Sequence, residues 1–120
     1  MLASVSRVGV ALAAALLSGG PAFAAPVRCS IDTKFYCTPT QCLPVAATVW
    51  NIVDPAEGTY ARCDQLGCDS YTAIFTQSGA VTVIDIPGRG VLGKLSVTGD
   101  FTEIATLGNE VYLSFGRCGP

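Results

Sequence analysis

The sequence predicts an all-β fold: a single small antiparallel up-and-down barrel or sandwich of about seven or eight strands, stabilised by disulfide bonds. Three observations predict it. Turn-forming residues recur about every 8–12 residues between short segments rich in β-branched and aromatic residues. No segment after residue 24 keeps a sustained helical period. All six cysteines follow residue 28 in a chain of 120 residues, which favours a disulfide framework.

Turn residues divide the second half of the chain into consecutive short strands, and short connections favour pairing of neighbours in order. The predicted strands are 47–53, 59–63, 71–77, 80–86, 91–98, 101–107 and 110–117. Alternation is clearest in two of them, where the apolar sets are Val91, Gly93, Leu95 and Val97, and Val111, Leu113 and Phe115. We expect the apolar set of each strand to face the interior.

The N-terminus has the pattern of a secretory signal peptide, which we predict at residues 1–24, followed by a single β domain at 25–120. Arg7 precedes an apolar run of about ten residues, and small residues end the segment at Ala24. The run is too short to cross a bilayer, which takes about 20 residues. We therefore expect export to the periplasm or beyond the cell, with no transmembrane anchor in the mature chain.

The charge of the predicted mature domain argues against nucleic acid as a partner. The domain keeps all nine acidic residues of the chain and six of its seven basic ones, so its net charge is −3. No run of basic residues occurs that would follow a phosphate backbone. The length supports one domain.

Two of the disulfides are predicted from turn chemistry. Asp64 and Gly67 occupy the first and fourth positions of a four-residue turn between Cys63 and Cys68, as a type I turn prefers. The two cysteines would then face each other across a hairpin.

The segment from Cys37 to Cys42 repeats this spacing, with Pro39 at the second turn position. Cys29 and Cys118 remain, and we pair them by elimination, with Cys37–Cys118 as the main alternative. Six cysteines allow 15 connectivities, so the spacing alone does not decide among them.

Two motif matches do not predict a cofactor. The segment 88–93 fits G-x-G-x-x-G, but it continues as a strand, whereas a dinucleotide site needs a helix at the last glycine. A glycine-rich turn is the better interpretation. The two C-x4-C pairs lie near zinc spacing, yet export oxidises thiols that zinc needs as thiolates. Asp32, Asp64 and Asp69 lack a calcium-loop pattern, and no C-x-x-C occurs.

The sequence offers little for catalysis, and we predict that the protein is not an enzyme. It contains no histidine, which removes the commonest general base. Carboxylate pairs remain at Asp64 with Asp69 and at Asp100 with Glu103, where we expect solvated hairpin tips. The single tryptophan and the four tyrosines are expected to pack within the sheet or to line a binding surface.

Several segments are similar to those of a group of small exported bacterial proteins of unknown function. They are Phe35-Tyr36-Cys37 with Cys42-Leu43-Pro44-Val45, Arg62-Cys63-Asp64 with Gly67-Cys68-Asp69, Ser78-Gly79-Ala80, and Ser114-Phe115-Gly116-Arg117-Cys118. The resemblance covers nearly all of the mature chain and implies no particular activity.

The chain also resembles, more distantly, the periplasmic inhibitors of c-type lysozyme. These are small antiparallel barrels with a signal peptide and a cysteine bond that reaches the C-terminus, and they insert a serine-glycine loop into the enzyme's cleft. The resemblance implies that role for Ser78-Gly79, although Thr82 stands where that family's loop carries an aromatic residue.

The sequence therefore predicts an exported, non-enzymatic, disulfide-stabilised domain that binds a protein or cell-envelope partner, including as an inhibitor. The residues expected to contact the partner are Arg62, Asp64, Asp69, Ser78 and Gly79. The alternatives are a carrier that holds a small ligand in an apolar barrel interior, and a structural zinc protein that uses the two C-x4-C pairs. No cofactor is expected.

Overall fold

The computed structural model describes residues 25–119, which form ten antiparallel β-strands joined by short turns. The predicted signal peptide lies outside the described residues. The strands are β1 (Val27–Cys37), β2 (Cys42–Val45), β3 (Trp50–Asp54), β4 (Thr59–Asp64), β5 (Gly67–Thr72), β6 (Ile74–Ser78), β7 (Val81–Ile86), β8 (Val91–Ser96), β9 (Asp100–Leu107) and β10 (Glu110–Gly119). The prediction of an all-β antiparallel fold is confirmed, with a strand count slightly higher than expected.

The strands form one nearly closed, barrel-like sheet. Their order is β5-β4-β3-β1-β10-β9-β8-β7-β6, and β2 pairs with the second half of β1. The edge strands β5 and β6 follow each other along the chain with only Ala73 between them. The Ala73 N–H donates to the Gly58 carbonyl at 2.9 Å. The chain itself therefore brings the two edges of the sheet together.

The longest strands, β1 and β10, pair along most of their length, yet the sequence does not predict β1. The register between them shifts between Ile31 and Thr33, so Asp32 is the extra residue of a β-bulge. The bulge interrupts the alternation of side chains: Ile31 packs against the core, and Lys34 rather than Thr33 is buried. An alternating pattern therefore cannot be read through this strand.

The core fills the barrel between facing strands. The buried apolar residues that pack together are Cys29, Val53, Tyr60, Ala73, Ile84, Ile86, Leu95 and Phe101. The rings of Tyr60 and Phe101 lie with their centroids 6.4 Å apart. A side chain at Gly93 would meet Ile84 at 3.4 Å and Phe101 at 3.6 Å, so this glycine leaves room for both.

The two predicted alternations have different outcomes. In β8, Gly93 and Leu95 are buried as expected, but the strand ends at Ser96 and Val97, predicted to face inward, is 64% exposed in the turn that follows. In β10 the prediction was wrong. Ser114 is 1% exposed and faces inward, whereas Phe115 is 43% exposed and lies on the outer face. Ser114 pairs with Lys34 on one side and Glu103 on the other, and all three are buried. The interior is polar at this level, which the alternation of apolar residues could not indicate.

Three disulfides stabilise the barrel, and they are the pairs that the sequence predicts. Cys29–Cys118 joins β1 to β10, Cys37–Cys42 joins β1 to β2, and Cys63–Cys68 joins β4 to β5. No cysteine of the described residues is free. A disulfide sulfur is not a thiolate, so the two C-x4-C pairs in this state form no zinc site.

Candidate functional site

A cavity of about 420 Å³ opens at one end of the barrel, and we call it the cationic cavity. Strands from opposite sides of the barrel line it, among them β1, β4, β5, β9 and β10, together with the turn between β7 and β8. The volume lies within the range of small-molecule sites, roughly 300–1,000 Å³. Three of its lining side chains are cations: Lys34, Arg62 and Arg89.

A buried hydrogen-bonded pair of side chains joins β9 to β4, and one of the two, Glu103, lines the cavity. The Tyr60 hydroxyl donates a hydrogen bond to the carboxylate of Glu103, and both residues are buried. Burial first, and then the adjacent Glu103 carboxylate, raise the pKa of Tyr60 well above its usual range. The tyrosine therefore keeps its proton and holds the carboxylate in place.

Lys34 reaches the cavity from β1, where the bulge turns its side chain inward. Its Nζ lies 5.2 Å from the centroid of the Tyr112 ring, a cation–π distance. Burial lowers the pKa of Lys34, the charge of Arg62 lowers it further, and Glu103 partly opposes both. The folded chain thus holds this ammonium at a cost in desolvation and charge repulsion.

Arg89 enters from the turn between β7 and β8, which the backbone fixes tightly. Gly88 and Gly90 have φ values of 75° and 66°, a region that suits glycine. The Thr106 N–H and hydroxyl both donate to the Gly90 carbonyl, at 2.9 and 3.0 Å. The segment 88–93 is therefore a glycine turn that leads into strand β8, as expected, and no helix begins there.

Aromatic side chains support the cations at the mouth of the cavity. The guanidinium carbon of Arg89 lies 5.0 Å from the centroid of the Tyr71 ring. Tyr112 also packs beside Tyr36, with ring centroids 5.1 Å apart, and the Tyr36 hydroxyl donates to the Glu110 carboxylate. Two of the tyrosines singled out in the sequence therefore line the cavity.

The residues expected to contact a partner separate into two groups. Arg62 lines the cationic cavity, and Asp69 lies opposite it in the register of β4 and β5. Asp64 shapes the adjoining turn, because its Oδ1 accepts the Leu66 N–H at 2.8 Å. Ser78 ends β6, and Gly79 follows in the next turn with a φ of 62°.

Ser78 and Gly79 lie at the other end of the barrel. The Val97 N–H donates to the Ala80 carbonyl at 2.9 Å, which places this turn beside the turn between β8 and β9. We call this the terminal end, because the first and last described strands, β1 and β10, begin and finish there, at Val27 and Gly119. A second cavity, of about 410 Å³, lies at the terminal end.

Sequence reasoning missed Lys34 and Arg89 and placed Glu103 wrongly. Glu103 is not on a solvated hairpin tip with Asp100: it is buried inside the barrel. Its position was readable in part, because Glu103 shares the parity of the buried Phe101 and Ala105 in β9. A carboxylate on the inner face of a strand was therefore the available signal for a polar interior.

Together, the fold and the cavity define a small disulfide-stabilised β-barrel with a cationic cavity at one end. Three disulfides indicate an oxidising environment of the kind that exported proteins meet. In the part of the chain that the structure describes, no helix is long and apolar enough to cross a membrane. Comparison with known proteins finds no family model, no characterised protein and no solved structure that matches this chain.

Proposed function

We propose that this protein is an exported binding domain without catalytic activity, and that the cationic cavity holds its ligand. The observation that carries the proposal is the cavity itself, about 420 Å³ of space bounded by charged, aromatic and aliphatic side chains. A mostly apolar wall with a few convergent polar groups is typical of small-ligand sites. The geometry thus favours the carrier alternative over recognition by loops alone.

The chemistry of the cavity supports binding rather than catalysis. Glu103 is the one carboxylate that lines it, and the Tyr60 hydroxyl donates to that carboxylate. The raised pKa of Tyr60 keeps the phenol protonated, so it is a poor general base. The chain has no histidine to take that role.

Native mass spectrometry of protein freshly isolated from the exporting cell tests the proposal. We expect an additional mass on the wild-type protein and its loss in Ala105→Trp, because Ala105 is buried and lines the cavity. Ile104→Trp is the matched control, since its side chain lies on the outer face of the same strand. Apo mass alone in the wild type, or equal retention in Ala105→Trp, would count against the proposal.

Recognition of a protein partner is a second candidate, favoured by the turn between β4 and β5. Leu66 at its tip is 97% exposed, and the Cys63–Cys68 disulfide holds the hairpin that presents it. A partner that covers this side chain would gain by removing its apolar surface from water, and the rigid hairpin would lose little entropy on binding. We expect Leu66→Ser to lose a partner captured from envelope extract, and Val97→Ser, 64% exposed at the terminal end, to retain it.

Inhibition of c-type lysozyme stays a proposal that rests on resemblance to that inhibitor family. The observation that supports it is the open turn at Ser78 and Gly79, where a side chain added to Gly79 would meet no atom within 4 Å. Wild-type protein that leaves lysozyme activity unchanged at micromolar concentration would exclude this role.

A further inference from the structure

We propose that the cationic cavity binds an organic anion, whose carboxylate lies among Lys34, Arg62 and Arg89 and whose apolar body lies against β7, β8 and β9. This inference rests on the proposed function and adds the chemistry of the ligand.

The charged side chains that line the cavity are not balanced. Its lining has three cations and one carboxylate, Glu103. Among residues 25–119, the side-chain ion pair within 4.0 Å is Arg117–Asp100, which lies at the terminal end. None of the three cations therefore contacts a carboxylate of the described chain. Like charges held around one partly enclosed space repel each other, and a bound anion would remove that repulsion.

Aromatic rings hold two of the three cations in place before a ligand arrives. Lys34 and Arg89 lie over the rings of Tyr112 and Tyr71, at 5.2 and 5.0 Å from the centroids. Side chains that are already ordered lose less entropy when they bind. Guanidinium groups present paired N–H donors that match the two oxygens of a carboxylate.

The one carboxylate of the lining limits the number of anionic groups that a ligand can carry. Glu103 is buried at the level of Lys34 and Ser114, where Tyr60 donates to it, whereas Arg62 and Arg89 are exposed. Its carboxylate repels a second anionic group that enters beyond the two arginines. A ligand with one anionic head is therefore favoured over a polyanion.

The wall beside the cations is apolar. Ile86, Val91, Ala105 and Leu107 line it. Burial of apolar surface against such a wall adds affinity in proportion to the area removed from water. An aliphatic or aromatic body attached to the carboxylate would fill this part of the cavity, whereas a small inorganic anion would leave it unused.

Isothermal titration calorimetry with a matched series tests the ligand class. The probes are octanoate, octanamide and octylammonium, which share a chain and differ in the charge of the head group, with acetate and inorganic phosphate as anions that lack the chain. We expect octanoate to bind at least about tenfold more tightly than octanamide, since a hydrogen bond to a charged group is stronger than one between neutral groups. Octylammonium should bind most weakly, and added salt should weaken octanoate most.

Charge-removing variants locate the head group. We expect Arg62→Gln and Arg89→Gln each to weaken octanoate about tenfold and to leave octanamide unchanged. Arg28→Gln is the control, because Arg28 lies over the Trp50 ring, 4.5 Å from its centroid, and does not line the cavity. Lys34→Met should act in the same direction, and circular dichroism shows whether that buried substitution still folds.

The outcomes separate this inference from the proposed function. Equal affinity for octanoate and octanamide, abolished by Ala105→Trp, would overturn the anion inference and leave the binding site intact. Phosphate or acetate binding as tightly as octanoate would overturn the inference that the ligand has an apolar body. No binding of any probe, together with apo mass from the native protein, would overturn the proposed function itself.

Discussion

The fold treats Arg117 at the terminal end differently from Arg62 and Arg89 at the cationic cavity. At the terminal end, Arg117 donates to Asp100 Oδ1 at 2.6 Å and to the Thr98 carbonyl at 2.9 Å. At the cationic cavity, Arg62 and Arg89 have no carboxylate of the described residues within 4.0 Å. The fold satisfies the first arginine by itself and leaves the other two available. The terminal end therefore has an ion pair of its own, and the cavity keeps charge that the ligand proposed above would neutralise.

The largest expected effect is on the terminal end, where Cys29–Cys118 closes 89 residues of sequence. In the loop-entropy model, removing a bridge that closes about 90 residues costs roughly 4.5 kcal/mol, against roughly 2 kcal/mol for one that closes about six. Urea unfolding of the Cys29→Ala/Cys118→Ala protein measures this cost. The Cys63→Ala/Cys68→Ala protein is the comparison, and equal losses from both would contradict the assignment of stability to the terminal end.

The close approach of β1 and β10 predicts the next effect. A Cβ at Gly116 would overlap the Ser30 carbonyl oxygen, so one strand must move away. Such overpacking costs roughly 1–3 kcal/mol, and we expect Gly116→Ala to lose an amount near the top of that range. Gly119→Ala, with no atom within 4 Å, is the control. If the two variants unfold at the same urea concentration, the contact between β1 and β10 does not limit stability.

The disulfides and the later strands show how much of the fold could be predicted. Turn residues such as Asp64 and Gly67 act locally, so the Cys63–Cys68 hairpin could be read from six residues. β1 could not, because the bulge at Asp32 changes which side chains face inward. Its partner β10 was predicted as a strand, but its inward face was assigned wrongly for the related reason that the interior there is polar.

The candidate site was predictable only in part. Arg62 was singled out because it adjoins a recognisable turn. Lys34 and Arg89 come together with it only when β1, β4 and the turn between β7 and β8 surround one cavity. These elements are far apart in sequence, so no local spacing records their proximity. For the same reason the sequence could not indicate that Ser78 and Gly79 lie at the opposite end of the barrel from Arg62.

A smaller effect is expected at the cavity, with the opposite sign. Lys34 is buried without a carboxylate of residues 25–119 within 4.0 Å, so its charge carries a desolvation cost that no ion pair offsets, and we expect Lys34→Met to gain about 1 kcal/mol near pH 7. The gain has a predicted pH dependence. In the folded state burial and the charge of Arg62 lower the pKa of Lys34, and Glu103 opposes them only in part. Between that lowered pKa and the ordinary lysine pKa of 10.5, the unfolded chain binds more protons than the folded chain.

The wild-type contribution of Lys34 to stability therefore rises as pH increases towards 10.5, and the advantage of Lys34→Met shrinks. Tyr60 acts in the other direction, but only above about pH 10, where the unfolded chain releases its phenolic proton and the folded chain does not. Urea unfolding between pH 7 and 10 isolates the lysine. If Lys34→Met is less stable than the wild type at every pH from 7 to 10, the buried charge of Lys34 does not destabilise the fold.

The smallest effect compares single arginines at the two ends directly. Arg117 and Asp100 form an exposed pair, with side chains 60% and 65% accessible, and such pairs are worth at most about 1 kcal/mol. We expect Arg117→Gln to lose up to that amount and Arg62→Gln to lose nothing in the absence of ligand, because Arg62 contacts no carboxylate that its removal would leave unpaired. Thermal unfolding at low and high salt measures the loss of stability in both variants. Added salt should reduce the loss for Arg117→Gln and leave Arg62→Gln unchanged. With saturating octanoate, Arg62→Gln should show the larger loss of stability relative to the wild type. The reason is that the proposed ligand stabilises the wild-type fold through Arg62 and not through Arg117. Equal responses of the two variants to octanoate would mean that the two ends do not divide stability and binding between them.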